Sequence, residues 1–183
     1  TFVSQSLTQL VVTIPADAET GPLILTYSGT DSADMETADT LKVTLPLTAS
    51  MSPSPVKPKS DVTIDGTNLD LVKKVIFTGV STPVTTFVSQ SPTRLVVQVP
   101  EQAKKGKLTL EAASGVQTIS TIDLDIVLPL VTTFSPSPID LNTNLTITGT
   151  DLDLVKKIIF SGVAPVITSF VSQSATEIVV KIP

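Results

Sequence analysis

The sequence predicts an all-β protein made of small β-sandwich domains in tandem. Three observations predict it. Apolar residues alternate with a period of two along many short segments, as in strands that bury one face. A unit of roughly 84 residues recurs along the chain, and no segment shows the 3.6-residue period of a long helix. We therefore expect independent sheet-on-sheet domains.

The repeat is visible at the level of identity. Residues 46–100 align with residues 129–183 at a constant offset of 83, and 30 of the 55 paired positions are identical. The phrase TFVSQS at residue 1 returns at residue 86, and SFVSQS follows at residue 169. The sequence therefore predicts the carboxyl-terminal half of one repeat at 1–45, a complete repeat at 46–128, and the amino-terminal half of another at 129–183.

Strand patterns fill the complete repeat. SDVTIDG, TRLVVQVP and GKLTLEAA each alternate, which places three groups of side chains inward: Val62 and Ile64; Leu95, Val97 and Val99; Leu108, Leu110 and Ala112. LTASMS, KKVIFTG and PVTTFVSQ add further strands. ISTIDLDIVL is expected to turn Ile122, Leu124, Ile126 and Leu128 inward. About seven short strands between Pro, Gly and Asx turns are typical of an immunoglobulin-like sandwich.

The segment DLVKK at residues 70–74 is ambiguous. It can form a single helical turn or lead straight into the following strand, and we expect the second.

Composition excludes several classes of function. With 41% hydrophobic and 16% charged residues the chain is globular, and its net charge of −5 without a Lys/Arg cluster argues against nucleic-acid binding. Cysteine, histidine and tryptophan are absent. No apolar run is long enough to cross a membrane, and Thr1 does not open a signal-peptide pattern, so we expect any targeting signal to lie outside this sequence.

The ordered motifs resemble the IPT/TIG immunoglobulin-like domain. SPSP, VTIDGTNL, KKVIFTGV and TRLVVQVP follow the family's proline-containing first strand, its T-I-x-G-x-x-L/F and V-x-F-x-G strands, and its V-x-V-P strand. The third repeat matches through LTITGTDL, KKIIFSGV and TEIVVKIP, although IFTG and IFSG depart from the doubled glycine common in the family.

The resemblance implies a location and a role. TFVSQS and LDLVKK are similar to repeats of Bacteroidetes surface proteins, in which such domains hold a glycan-binding domain away from the outer membrane. This implies an extracellular lipoprotein of a polysaccharide utilization system, anchored through a segment outside this sequence. Its expected partners are neighbouring Ig-like domains and, through other parts of the parent, polysaccharide or an outer-membrane transporter.

Aromatic residues are expected in the core. Phe77 and Phe160 share one repeat position, and Phe2, Phe87 and Phe170 share another. Sugar binding usually needs an exposed aromatic platform, and Tyr27 aligns with the inward Ala112. Direct glycan binding by this chain is therefore not expected.

Charged candidates have ordinary explanations. Lysine pairs 73–74 and 156–157 are expected to protect strand edges from aggregation rather than to bind anions. An Asx-rich turn could offer calcium ligands through Asp65, Asn68 and Asp70, with Thr148, Asp151 and Asp153 in the third repeat, but turn hydrogen bonding explains it better. We expect no metal and no cofactor.

No catalytic residue is nominated. The chain has no histidine base or cysteine nucleophile. A carboxylate pair could act instead, but none recurs at equivalent positions among Glu19, Glu36, Glu101, Glu111 and Glu177. The sequence predicts a non-enzyme.

The junctions carry the functional argument. LPLT at residues 45–48 and LPLV at residues 128–131 join the repeats without a Gly/Ser tract, and proline restricts its own backbone and that of the preceding residue. A stiff spacer is the expected function. The alternatives are an adhesin or protein-interaction module, and the accessory region of a secreted polysaccharide-degrading enzyme.

Each half-repeat should expose an apolar face. The simplest expectation is a parent chain that continues on both sides. The alternative is that two molecules complete each other's modules head to tail.

Overall fold

The computed structural model describes residues 2–15, 17–26, 34–161 and 166–182. Their regular structure consists of β-strands and two 3-10 turns. The described part contains no helix with the length and apolar character needed to cross a bilayer. The predicted all-β fold is therefore confirmed.

The chain divides into two compact units. The first comprises Thr1–Ser54 and Lys59–Asp125, and the second comprises Pro55–Pro58 and Ile126–Pro183. The first unit opens with two hairpins, one of β1 (Phe2–Gln5) with β2 (Leu10–Val12) and one of β3 (Gly21–Thr26) with β4 (Asp34–Leu41).

Seven strands of the complete repeat follow in the first unit. They are β5 (Leu47–Ser52), β6 (Asp61–Thr67), β7 (Val72–Ile76), β8 (Ser89–Gln90), β9 (Arg94–Gln98), β10 (Thr109–Ala112) and β11 (Gln117–Ile119). One sheet has the order β5-β6-β9-β8 and the other β11-β10-β7. The predicted inward residues of β6, β9 and β10 are buried, Val62, Ile64, Leu95, Val97 and Leu110 completely so.

Two strand predictions are only partly correct. Leu124 and Ile126 are buried as expected, but Ile122 is 39% and Leu128 76% exposed. The regular strand ends at Ile119 because the buried Ser120 hydroxyl accepts a hydrogen bond from Leu108 N and donates one to the Ile122 carbonyl. Backbone pairing persists at Ser120, whose N–H donates to the Leu108 carbonyl, and resumes between Leu124 and Gly106. Along PVTTFVSQ, pairing is confined to β8 and a bridge at Val84.

A 3-10 turn at Leu69–Leu71 precedes β7, so the expectation that DLVKK leads straight into a strand is wrong at its first two residues. Asn68 opens the turn in the left-handed region, at φ 56°. The Gln90 amide donates to the carbonyls of Leu69 and Val72, both at 2.8 Å, and so closes the turn from another strand. The sequence of residues 70–74 alone does not predict this turn, because the hydrogen bonds come from a residue about 20 positions away.

The second unit repeats the first of the two sheets. Its strands are β12 (Leu130–Ser135), β13 (Asn144–Thr150), β14 (Ser172–Gln173) and β15 (Glu177–Lys181), in the order β12-β13-β15-β14. A 3-10 turn at Leu152–Leu154 matches the turn at Leu69–Leu71. Leu145, Val180 and Ile182 form its buried cluster.

Candidate functional site

The phrase that recurs along the chain forms a clamp. Gln173 donates to the carbonyls of Leu152 and Val155 at 2.8 Å each, as Gln90 does to the matching carbonyls of the complete repeat. The serine that follows each glutamine caps the entry to the next strand, since Ser91 Oγ accepts from Arg94 N at 3.1 Å and Ser174 Oγ accepts from Glu177 N at 3.0 Å. Sequence reasoning missed this role, although the threefold recurrence of Gln-Ser was the available signal.

The junction at residues 45–48 is held from both sides. On its carboxyl side, Asn68 Nδ2 donates to the Leu45 carbonyl at 3.3 Å, and Thr118 Oγ1 donates to the Pro46 carbonyl at 2.8 Å. On its amino side, Val43 N donates to Thr20 Oγ1 at 3.0 Å. Only Thr44 separates the two sets of anchors, so the junction has almost no free length.

A cleft of 320 Å³ lies beside this junction. Ile14, Pro15 and Val43 line one part of it, and Leu71, Lys73 and Ala112 line another. Its lining is mostly apolar, with the charges of Asp70 and Lys73 at its border.

A charge cluster lies in the second unit. Lys57 Nζ contacts Asp153 Oδ1 at 3.0 Å and Asp151 Oδ1 at 3.2 Å. Hydrogen bonds to Asp153 first and Asp151 second raise the pKa of Lys57 above its usual 10.5. The ammonium is therefore charged throughout the physiological range, and the attraction fades only as the pH rises past that value.

The proposed calcium ligands do not converge. Asp65 pairs with Arg94 at 2.8 Å, the Asn68 side chain binds Leu45, and Asp151 and Asp153 bind Lys57. Within the described ranges, no group of three or more Asp, Glu, His or Cys residues could hold a metal ion.

Lysine pair 73–74 lies on an edge strand, whereas residues 155–159, which include the pair 156–157, form no regular strand. β7 is at the edge of its sheet, and its Lys74 pairs with Glu111 of the neighbouring β10. Lys73 is exposed, as are Lys156 and Lys157 in the third repeat.

The candidate acids are scattered over the described chain. Glu111 bonds Lys74, Glu101 lies 3.2 Å from Lys59, and the side chains of Glu19, Glu36 and Glu177 are exposed. The geometry therefore nominates no general acid and base.

The aromatic residues differ in how deeply they are buried. Phe77 is 2% exposed and lies in the core, as predicted. Phe87 is half-buried, and Phe160 and Phe170 pack partly against the cluster of the third repeat. The prediction is wrong for Phe2, which is 63% exposed. Tyr27 lies outside the described residues.

Comparison with protein families decides what the complete repeat is. Residues 46–124 match the family model described as the IPT/TIG domain. This segment is an IPT/TIG domain. The match spans β5 to β11 and both sheets of the sandwich.

Several solved structures resemble the chain at low identity. SGBP-B of the Bacteroides ovatus mixed-linkage glucan utilization locus, in complex with a mixed-linkage heptasaccharide, gives 21% identity and a TM-score of 0.39 over 82% of this chain and 40% of its own. The surface glycan-binding protein of Prevotella bryantii is 19% identical with a TM-score of 0.37, and the match covers 78% of this chain and 37% of that chain. The Plexin A4 extracellular region is 20% identical with a TM-score of 0.40, and the match covers 93% of this chain and 15% of that chain.

The chain spans less than half the length of each of these proteins. No curated protein matches it significantly.

Polar side chains of the IPT/TIG domain make structural contacts, and one of them is the calcium candidate Asn68. Asn68 and Thr118 of this domain hold the junction that precedes it, and Gln90 holds its 3-10 turn. Each of these side chains donates a hydrogen bond to a backbone carbonyl.

Proposed function

We propose that this chain is a non-catalytic tandem spacer of a bacterial cell-surface protein, and that it presents a glycan-binding domain carried elsewhere in the same parent. The repeats at 1–45, 46–128 and 129–183 are the units of the spacer. The parent is extracellular and anchored to the outer membrane through a segment outside this sequence. Other parts of the parent protein bind polysaccharide or an outer-membrane transporter.

The observation that carries the proposal is the junction at residues 45–48. Its carbonyls are held by Asn68 and Thr118, and Val43 is held by Thr20, so that the backbone is anchored within two residues on either side of Thr44. A linker of this kind transmits orientation, whereas a Gly/Ser tract would behave as a random coil. Family membership of residues 46–124 and the duplicated sequence support the same interpretation.

Spin labels test the stiffness of this junction. The chain has no cysteine, so Thr8→Cys and Gln98→Cys would place labels at two exposed sites on either side of residues 45–48. Pulsed electron paramagnetic resonance should give a narrow distribution of distances. Inserting Gly-Ser-Gly-Ser between Leu45 and Pro46 should broaden it, and Asn68→Ala with Thr118→Val should broaden it to a smaller degree. The spacer proposal would be refuted if the doubly labelled chain without the insertion gave a distance distribution as broad as that of the insertion variant.

Affinity electrophoresis in gels containing soluble polysaccharides tests whether this chain itself binds glycans. We expect no retardation. Retardation that Tyr27→Ala abolishes would assign binding to this chain and contradict the passive role.

A further inference from the structure

The junction at residues 128–131, which leads into the third repeat, lies between two backbone anchors. On its amino side, Val127 N donates to the carbonyl of Val56 at 2.9 Å, and Val56 is 1% exposed. On its carboxyl side, strand β12 begins at Leu130, which pairs with Thr150 of β13. All of these residues belong to the second compact unit. The backbone is therefore fixed immediately before and within this junction.

A salt bridge connects the two anchors. Lys57 directly follows Val56, and Asp151 directly follows Thr150. The ammonium of Lys57 lies 3.2 Å from Asp151 Oδ1 and 3.0 Å from Asp153 Oδ1. The ion pair therefore completes a closed ring of contacts around the junction, in which the other members are backbone hydrogen bonds.

The junction at residues 45–48 has a neutral contact at the matching position. Asn68, which aligns with Asp151 at offset 83, donates through its amide to the carbonyl of Leu45 at 3.3 Å. Both residues open a 3-10 turn in the left-handed region, and neither side chain caps its own turn. An ionised carboxylate has no hydrogen to donate, so Asp151 cannot hold the carbonyl of Leu128 as Asn68 holds that of Leu45. The two junctions therefore differ in chemistry at one shared position.

Dissolved ions can reach the salt bridge. The side chains of Lys57 and Asp151 are each 34% exposed, and that of Asp153 is 42% exposed. Raising the ionic strength from about 0.01 M to about 1 M shortens the screening length from about 30 Å to about 3 Å. Salt therefore weakens the attraction between these exposed charges, whereas the amide of Asn68 carries no net charge to be screened.

We propose that the junction at residues 128–131 is an ionic junction, which Lys57 holds closed through Asp151 and Asp153 and which loosens as the ionic strength of the surroundings rises. The junction at residues 45–48 keeps its stiffness. This inference deepens the proposed spacer function and rests on it, since it gives the spacer one junction of fixed stiffness and one that responds to salt. The third repeat carries Asp140 at the position of Lys57, so the ionic closure is not a general property of the repeat.

Spin labels within the second unit test the response to salt. Pro55→Cys and Asn144→Cys place labels at two exposed positions of that unit, one in the segment that contains Lys57 and one on β13. Pulsed electron paramagnetic resonance should give a broader distribution of distances at about 1 M sodium chloride than at about 0.01 M. The matched control is the pair at Thr8 and Gln98, whose distribution should have the same width at both concentrations. A 55–144 distribution whose width does not change with salt, or equal broadening of both pairs, would overturn the proposal.

Removing the ammonium tests whether Lys57 carries the response. In the 55–144 background, Lys57→Gln should give a broad distribution at both salt concentrations. Lys59→Gln is the matched control, because it removes the same charge two residues away from a lysine that lies 3.2 Å from Glu101. This control should respond to salt like the unsubstituted chain. A salt response that survives Lys57→Gln would contradict the ionic junction.

Reversing the charge gives a signature that a purely steric role of the side chain would not produce. Lys57→Glu places a third carboxylate beside Asp151 and Asp153, so that the contact becomes repulsive. Because salt screens repulsion as it screens attraction, the 55–144 distribution of this variant should become narrower as the salt concentration rises. Broadening with salt, or no change, would overturn the proposal.

Failure of this inference is distinguishable from failure of the spacer proposal. A broad distribution for the pair at Thr8 and Gln98 in the chain without an insertion refutes the stiff spacer, whatever the 55–144 pair shows. A narrow distribution for that pair, together with a 55–144 pair that does not respond to salt, overturns the ionic junction alone.

Discussion

Glutamine and serine explain why TFVSQS recurs. Gln90 and Gln173 each satisfy two carbonyls of a 3-10 turn, and the serine after each caps the next strand. An unsatisfied polar group that folding removes from water costs free energy. In two repeats, the glutamine and the serine of this phrase therefore satisfy backbone groups.

Replacing Gln90 tests this role. Gln90→Met keeps the length of the side chain but leaves the Leu69 and Val72 carbonyls without their donor. We expect a loss of about 1–3 kcal/mol in the free energy of unfolding, measured in urea. Gln98→Met, at an exposed position of the neighbouring β9, should change it by less than about 0.5 kcal/mol. Equal effects of the two substitutions would contradict the clamp.

The buried phenylalanine tests the core. Phe77→Ala should cost about 3–5 kcal/mol because the side chain is 2% exposed and its removal leaves a cavity. Lys73→Ala, exposed on β7, should stay within about 0.5 kcal/mol. Chemical unfolding of both variants provides the comparison, and a near-neutral Phe77→Ala would place that ring outside the core.

At the scale of elements, the glycine that both T-I-x-G motifs of this chain share has a steric reason. A Cβ on Gly66 would lie 1.9 Å from the Leu47 carbonyl oxygen, and one on Gly149 would lie 2.0 Å from that of Leu130. Both pairs of strands carry a register shift near this point, between Thr48 and Ser50 and between Val131 and Thr133. The glycine lets the bulged first strand approach.

Gly66→Ala should therefore force β5 away from β6. We expect a loss of about 3 kcal/mol in unfolding free energy, at the upper end for overpacking, because the atom that must move is backbone. Gly21→Ala, which meets no atom within 4 Å, is the matched control. Retention of full stability by Gly66→Ala would show that the two strands can separate at little cost.

The pairing of β7 with β10 has a pH signature. Hydrogen bonds from Lys74 first and Gln117 second lower the pKa of Glu111 below its usual 4.5. A lowered carboxyl pKa contributes stability that is complete above 4.5 and is lost as the pH falls through the folded value. The difference in unfolding free energy between the unsubstituted chain and Glu111→Gln, measured by urea titration, should thus shrink below pH 4.5 and stay constant from pH 6 to 8. A difference that is independent of pH would exclude this contribution.

At the scale of the whole molecule, the repeat boundaries predict an autonomous domain. Residues 46–128 alone should unfold in one cooperative transition, since both sheets and the core of the IPT/TIG domain fall within that range. EDTA should leave the midpoint of thermal unfolding unchanged in scanning calorimetry. A lower midpoint with EDTA would reveal a metal that the sequence does not suggest.

The sequence by itself determined the fold class, the repeat and the core of the IPT/TIG domain. Alternation of Val62 with Ile64, or of Leu95 with Val97, reports which side of a strand meets the core, and burial of apolar side chains dominates folding. Residues 46–100 and 129–183 could be paired by their shared sequence, and β12 to β15 match β5, β6, β8 and β9, although residues 155–159 form no strand where the complete repeat has β7.

Only the tertiary structure decided which apolar faces are covered and where polar side chains bind. Phe2 and Phe87 share a repeat position, yet one is exposed and the other half-buried, because burial depends on strands far away in sequence. Gln90, Ser120 and Lys57 likewise find partners on other segments of the chain. A local pattern records the period of its own strand, whereas these contacts depend on how distant segments meet in space.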